Sequence, residues 1–188
     1  MGITIWYQAK SDKENVDKNT KYWLKTIPKI AETAPEVLKP EIFTLNKKER
    51  KKLVKDWNEG WRAEQHGKVE DCDGTGINIP GCETLSFIFC KKIDDKWVLD
   101  NFTKTQFCGV PGHLMTCRML EEARRRYFPN MKIDDEGDFC GDDDDHDIEK
   151  LKESLTENAL LIDKVTGMLE ETWGENHVKS GAKLKGVI

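Results

Sequence analysis

Two short runs rich in β-branched and aromatic residues constrain the fold of this chain more than any other feature. Residues 84–91 and 96–103 have the composition of strands, and the connection between them contains Asp94 and Asp95, a residue type common in tight turns. This pattern predicts an antiparallel hairpin at about residues 84 to 103. The chain therefore builds a β-sheet on which other elements must pack.

The segments around the hairpin predict both helices and further strands. Residues 3–8 have strand composition, and Asn46 followed by Glu49 is typical of a helix start. A helix predicted over about 113–127 separates the hairpin from a short strand at 131–134. A strand, a helix and a strand form a βαβ unit, which predicts a parallel strand pair with a right-handed connection.

We therefore expect an α+β fold, with a small mixed sheet packed by several helices. A length of 188 residues favours one domain, which we place at residues 1–174, followed by a polar tail at 175–188. The glycine-rich stretch 68–82 before the hairpin is predicted to be a long loop.

Composition limits the expected cellular location of the chain and the classes of molecule that it is expected to bind. The sequence lacks the apolar run of about 20 residues that a membrane helix needs, and its start is unlike a signal peptide, so we expect a cytoplasmic chain without a membrane partner. Residues 131–150 hold ten acids and two bases, a balance of −8, which leaves +3 on the rest of the chain. That charge is unlike the strongly basic surface typical of nucleic-acid binding. The six cysteines are predicted to be free thiols, because a core of this size needs no disulfide framework.

The segment from Asp71 to Gly76 carries two carboxylates at alternate positions, Asp71 and Asp73. Alternate oxygen ligands suit Ca²⁺, but the acidic residue that closes an EF-hand loop comes one position late, as Glu83. The same six residues resemble the nucleophile motif of haloacid-dehalogenase-type phosphatases. That resemblance implies a nucleophilic Asp71, an acid–base Asp73 and a bound Mg²⁺. It covers six residues only, and no apolar strand precedes Asp71.

The acidic segment is a second candidate site for a divalent cation. Closely spaced carboxylates repel one another unless a cation, protons or water relieves the repulsion. Asp138 and Asp142 in this segment would be the metal ligands that join Asp71 and Asp73 in a metal-dependent hydrolase or phosphatase. The alternative is a solvated run of charge, in which the acids nearest the next helix favour its N-terminus.

Cys108, His113 and Cys117 form the third candidate site. His113 and Cys117 are four residues apart on one face of the predicted helix, and Cys108 lies just before it. Thiolate and imidazole ligands suit zinc, and the same residues could serve a thiol enzyme with His113 as the base. Alternatively, His113 and Cys117 belong to the inner face of a helix packed on the sheet.

The leading interpretation is a binding module without enzymatic activity that recognises a protein partner or a small ligand, since each catalytic motif fails at a position that can be checked. A metal-dependent hydrolase and a zinc-binding or thiol-dependent protein are the alternatives, with Mg²⁺, Ca²⁺ or Zn²⁺ as the ion. We also expect the loops that contain Asp71 and Cys108 to emerge at the same, open end of the hairpin.

Overall fold

A computed structural model describes residues 3–34, 39–140 and 147–173, which form six strands and five helices. In chain order these are β1 (Thr4–Ser11), α1 (Lys13–Thr33), β2 (Glu41–Thr44), α2 (Lys47–Glu59), α3 (Trp61–His66), β3 (Val69–Asn78), β4 (Leu85–Lys92), β5 (Trp97–Lys104), α4 (Gly109–Arg126), β6 (Lys132–Asp135) and α5 (Ile148–Trp173). The predicted tail at 175–188 lies outside the described residues. None of the described helices combines the length and the apolar composition that a membrane crossing requires.

The six strands form one sheet in the order β2-β3-β4-β5-β1-β6, and every neighbouring pair is antiparallel. This arrangement confirms the α+β class. The predicted mixed sheet is wrong, because β1 lies between β5 and β6 and pairs antiparallel with both. β5 and β6 therefore run in the same direction, as the βαβ pattern predicts, but they are not hydrogen-bonded neighbours.

The predicted hairpin is confirmed as β4 and β5. The amide of Lys92 donates to the carbonyl of Lys96 at 2.7 Å, and Asp95 turns the chain with a left-handed φ of 62°. The helix start at Asn46 is also confirmed. The Asn46 side chain accepts hydrogen bonds from the first turn of α2, and Glu49 bonds back to the Asn46 amide at 2.8 Å.

The predicted loop at 68–82 is wrong, since most of it is the strand β3. Its residues pair with β4 from Val69 opposite Lys92 to Ile77 opposite Leu85. Glycine is a poor strand residue by itself. Here Gly74 has no room for a side chain, because a Cβ at this position would lie 2.0 Å from the Phe87 carbonyl oxygen.

Side chains alternate between two cores on opposite faces of the sheet, as the pleat requires. The larger core lies under α1, α4 and α5 and includes Trp23, Phe87 and Leu120. The smaller core lies under α2, where Trp57 packs with Val98 and its neighbours. Because α4 packs in the larger core, its inner face carries side chains into the interior.

The prediction of free thiols is wrong for two cysteines. Cys72 on β3 and Cys90 on β4 are direct register partners and form a disulfide. Facing positions of neighbouring antiparallel strands bring side chains close together, and β3 was not predicted to be a strand. Outside this disulfide, the described cysteines are thiols: Cys82, Cys108, Cys117 and Cys140.

Candidate metal centre

Helix α4 and strand β6 bring three metal-ligating side chains together inside the larger core. His113 and Cys117 lie one turn apart on α4, and Asp135 ends β6. One ligand atom from each lies within 4.8 Å of the other two. His113 Nε2 is 2.9 Å from Asp135 Oδ2, and Cys117 Sγ is 3.8 Å from the same oxygen. We call these three residues the His–Cys–Asp cluster.

The carboxylate of Asp135 is the centre of the cluster. The chain after β6 curls around it, so that the amides of Gly137, Phe139 and Cys140 donate to its oxygens at 2.8, 3.2 and 3.1 Å. Burial alone would raise the pKa of Asp135, but the hydrogen bond and charge of His113, together with the amides of Gly137 and Cys140, hold that pKa below its usual value. Asp135 is therefore an ionised, fully buried acceptor.

The other ring nitrogen of His113 is held by Thr105. Nδ1 lies 2.7 Å from Thr105 Oγ1, and this hydroxyl lies 3.5 Å from the carbonyl oxygen of Ile3. With a metal bound, Nδ1 would keep its proton and donate to Thr105, the hydroxyl would donate onward to Ile3, and Nε2 would give up the proton that now bonds Asp135. Histidines that bind metals through one nitrogen commonly donate a hydrogen bond from the other.

A further buried thiol, that of Cys140, lies next to Cys117 but outside the His–Cys–Asp cluster. This buried thiol lies within hydrogen-bond reach of the Cys117 thiol. Burial, followed by the contact with Cys140 and the charge of Asp135, raises the pKa of Cys117. A cation between the two sulfurs and Asp135 would reverse this effect, because a coordinated thiol is deprotonated.

The structure assembles only some of the residues that the sequence suggests as zinc ligands. The structure brings His113 and Cys117 together but leaves Cys108 outside the His–Cys–Asp cluster. Cys108 Sγ donates to the carbonyl of Thr105 at 3.0 Å, and Thr105 contacts the side of the His113 ring opposite to Asp135. Asp135, which sequence reasoning did not suggest for this site, joins His113 and Cys117 instead.

Asp71 and Asp73 share a face of β3, where basic side chains neutralise them. Arg50 of α2 bonds Asp71 through two nitrogens, at 2.5 and 3.2 Å, and approaches Asp73 at 3.5 Å. Lys13 of α1 forms an ion pair with Asp73 and stacks 4.6 Å from the Trp97 ring centre. These carboxylates therefore already have cationic partners. Both lie on strand β3, in the segment that the sequence predicted to be a loop.

The predicted four-carboxylate site is not assembled by the described residues. Asp138 follows β6 and pairs with Lys150 of α5 at 3.2 Å, while Asp142 lies outside the described residues. Strand β6 is four strand spacings from β3, about 19 Å at the usual separation. Asp138 is therefore remote from Asp71 and Asp73 within the sheet.

The predicted convergence of the Asp71 and Cys108 loops is also wrong. Because β3 runs back along β4, Asp71 pairs with Lys91 near the closed end of the hairpin. Cys82, in the β3–β4 connection, reaches the open end instead and lies beside Cys108.

We expect Asp71 and Asp73 to bind neither Mg²⁺ nor Ca²⁺. Millimolar concentrations of either ion should therefore leave the melting temperature of the protein unchanged. Arg50 and Lys13 already supply the positive charge, and a cation would have to displace them. Thermal unfolding of the wild type and of an Asp71→Asn, Asp73→Asn double variant, with and without each ion, measures this. A cation-induced rise that the double variant loses would support the hydrolase interpretation instead.

No protein-family model, curated protein or solved structure matches this chain.

Proposed function

We propose that this chain is a zinc-binding protein in which His113, Cys117 and Asp135 hold the ion and Cys140 completes the site. The convergence of imidazole, thiol and carboxylate donors within 4.8 Å is the observation that carries the proposal. One nitrogen, two sulfurs and one oxygen form a donor set that suits Zn²⁺ better than Mg²⁺ or Ca²⁺, which prefer oxygen ligands.

The spacing of the donors supports a tetrahedral site. Zinc bonds of about 2.0–2.3 Å place neighbouring donors roughly 3.3–3.7 Å apart in a tetrahedron. The contacts of Asp135 Oδ2 with His113 Nε2 and Cys117 Sγ, 2.9 and 3.8 Å, lie close to that range. Zinc would take the position of the protons that now join these groups, and the donors of His113 and Cys117, which lie within 4.8 Å of each other, would close around the ion.

The burial of the site supports a structural role for the ion. Catalytic zinc sites keep one position open for water or substrate, whereas structural sites use four protein ligands. Both His113 and Asp135 have fully buried side chains. The ion would tie α4 to β6 and to the chain that follows it. The interpretation as a binding module without enzymatic activity stays a prediction and is compatible with such a site.

We expect protein purified without added zinc to contain about one equivalent of the metal, as is usual for a tightly held structural ion. Elemental analysis measures the content, and competition with a chromophoric chelator measures the affinity. Cys117→Ser should weaken zinc binding by at least about tenfold, since the loss of a supporting hydrogen bond alone often costs that much. Cys82→Ser is the matched control, because Cys82 is a free thiol outside the cluster.

A second pair of variants separates metal binding from folding. His113→Asn should abolish binding, whereas His66→Asn should not, although His66 Nε2 also lies 2.9 Å from a carboxylate, that of Asp100. Co²⁺ gives a visible absorption spectrum at tetrahedral thiolate sites and reports the ligands directly in the folded wild type. A wild-type chain that binds neither Zn²⁺ nor Co²⁺ in the competition assay would disprove the proposal.

A further inference from the structure

Two other cysteines meet at the open end of the hairpin, outside the His–Cys–Asp cluster. Cys82 lies in the connection between β3 and β4, and Cys108 directly precedes α4. Both sulfurs lie over Gly112 in the first turn of α4. A Cβ on Gly112 would be 2.6 Å from Cys108 Sγ and 3.6 Å from Cys82 Sγ. The two thiols are therefore neighbours, although 26 positions separate them in the chain.

The close approach of the β3–β4 connection to the start of α4 depends on Gly81. Its φ is +80°, and a Cβ there would lie 2.7 Å from the Phe107 carbonyl oxygen and 2.8 Å from Cys108 Cα. Only glycine lets the two connections touch so closely. The amide of Glu83 also donates to the carbonyl of Lys104 at 2.9 Å, which fixes the β3–β4 connection to the end of β5.

The hydrogen bonds of the pair hold the two sulfurs in place. Cys108 Sγ donates to the Thr105 carbonyl at 3.0 Å, and Cys82 Sγ lies 3.8 Å from Thr116 Oγ1. A hydrogen bond between the two thiols, together with burial, raises the pKa of Cys108. Both residues are half-buried, whereas Cys117 and Cys140 are fully buried. A soluble oxidant therefore reaches Cys82 and Cys108 more easily than it reaches Cys117 and Cys140.

We propose that Cys82 and Cys108 are a reversible redox pair, oxidised to an intramolecular disulfide by a small disulfide such as oxidised glutathione. The Cys82 thiolate attacks one sulfur of the oxidant, forms a mixed disulfide and releases one glutathione thiol. Cys108 then loses its proton and attacks the Cys82 sulfur, which forms the Cys82–Cys108 bond and releases the second glutathione. Two protein thiols are oxidised and one glutathione disulfide is reduced to two thiols. This inference does not depend on the zinc proposal.

The resulting bond would join the β3–β4 connection to the start of α4. It would add a covalent link at the open end of the hairpin, while the Cys72–Cys90 disulfide lies between β3 and β4 nearer the closed end. Reduction by a small thiol would remove the link again.

The test uses the full chain, reduced, freed of reductant and incubated with oxidised glutathione in the presence of a chelator. Free thiols are then alkylated and the fragments identified by mass spectrometry. Trypsin alone is unsuitable, because it leaves Cys72, Cys82 and Cys90 on the fragment 69–91 and Cys108 with Cys117 on 105–118. Cleavage after acidic residues isolates Cys82 on the fragment 74–83, and chymotrypsin separates Cys108 from Cys117 at Leu114.

We expect a fragment in which Cys82 is linked to Cys108, and its loss when reductant is added. Cys108→Ser should instead retain one glutathione on Cys82, because no second thiol resolves the mixed disulfide. His66→Asn is the control that keeps the cross-link, because His66 contacts Asp100 and belongs neither to the thiol pair nor to the proposed zinc site. Stable glutathione adducts on both cysteines of the folded wild type, or alkylation of both thiols without a cross-link, would overturn the proposal.

Discussion

Replacing Asp135 with asparagine is expected to destabilise the metal-free protein by about 3–5 kcal/mol, the usual cost of breaking a buried ion pair. The carboxylate contacts His113 at 2.9 Å and accepts hydrogen bonds from three backbone amides. An amide side chain has the same shape but only one acceptor oxygen, and its nitrogen would face donors. At least one buried donor is therefore left without an acceptor.

Urea unfolding of chelator-treated protein measures this loss without any contribution from metal binding. Asp100→Asn is the matched control, because Asp100 also lies 2.9 Å from a histidine, His66. The His66 side chain is 28% exposed and water can solvate it, so we expect the control to lose about 1–2 kcal/mol. Equal losses in the two variants would show that the hydrogen bonds from the amides of residues 137–140 to Asp135 contribute little to the free energy of unfolding.

Gly74→Ala should be the most damaging glycine substitution in β3, at about 3–5 kcal/mol. The φ of Gly74 is +139°, which an alanine adopts only under strain, and the added Cβ would lie 2.0 Å from the Phe87 carbonyl oxygen. Backbone strain and overpacking each typically cost about 1–3 kcal/mol. The clash involves the backbone of β4, so it can be relieved only if the paired strands move apart.

Gly76→Ala on the same strand is the control for this prediction. Its added Cβ would meet the ring of Phe43, a half-exposed side chain on the edge strand β2 that can turn outward. We expect a loss of about 1 kcal/mol or less, again by urea unfolding. If residues 68–82 were the loop that their composition predicts, both variants would be close to neutral, and that outcome would contradict the strand β3.

Only part of the candidate site could be predicted from the sequence. The spacing of His113 and Cys117 on a helix is a local pattern, and it correctly placed both on one inner face. Asp135 was seen only as one member of an acidic run. The alternation of β6, with Ile133 and Asp135 buried between exposed Lys132 and Asp134, is the signal that would have separated it.

The positions of Cys108 and Cys140 relative to the cluster depend on contacts that no local sequence pattern contains. Cys108 is nearer to His113 in the chain, but Thr105 places it on the far side of the imidazole ring from Asp135. Cys140 approaches Cys117 only because the chain after β6 curls around Asp135. Similarly, Cys82 meets Cys108 because β3 is a strand that turns at the open end of the hairpin.

The sequence by itself determined the α+β class, the hairpin of β4 and β5, the start of α2 and the inner face of α4. Each depends on residues within a few positions of one another, where turn chemistry, capping and periodicity act directly. Only the tertiary structure decided that β3 is a strand, that β1 separates β5 from β6, and which donors meet His113. Those outcomes depend on contacts between distant segments, whose free energy depends on the packing of the whole sheet.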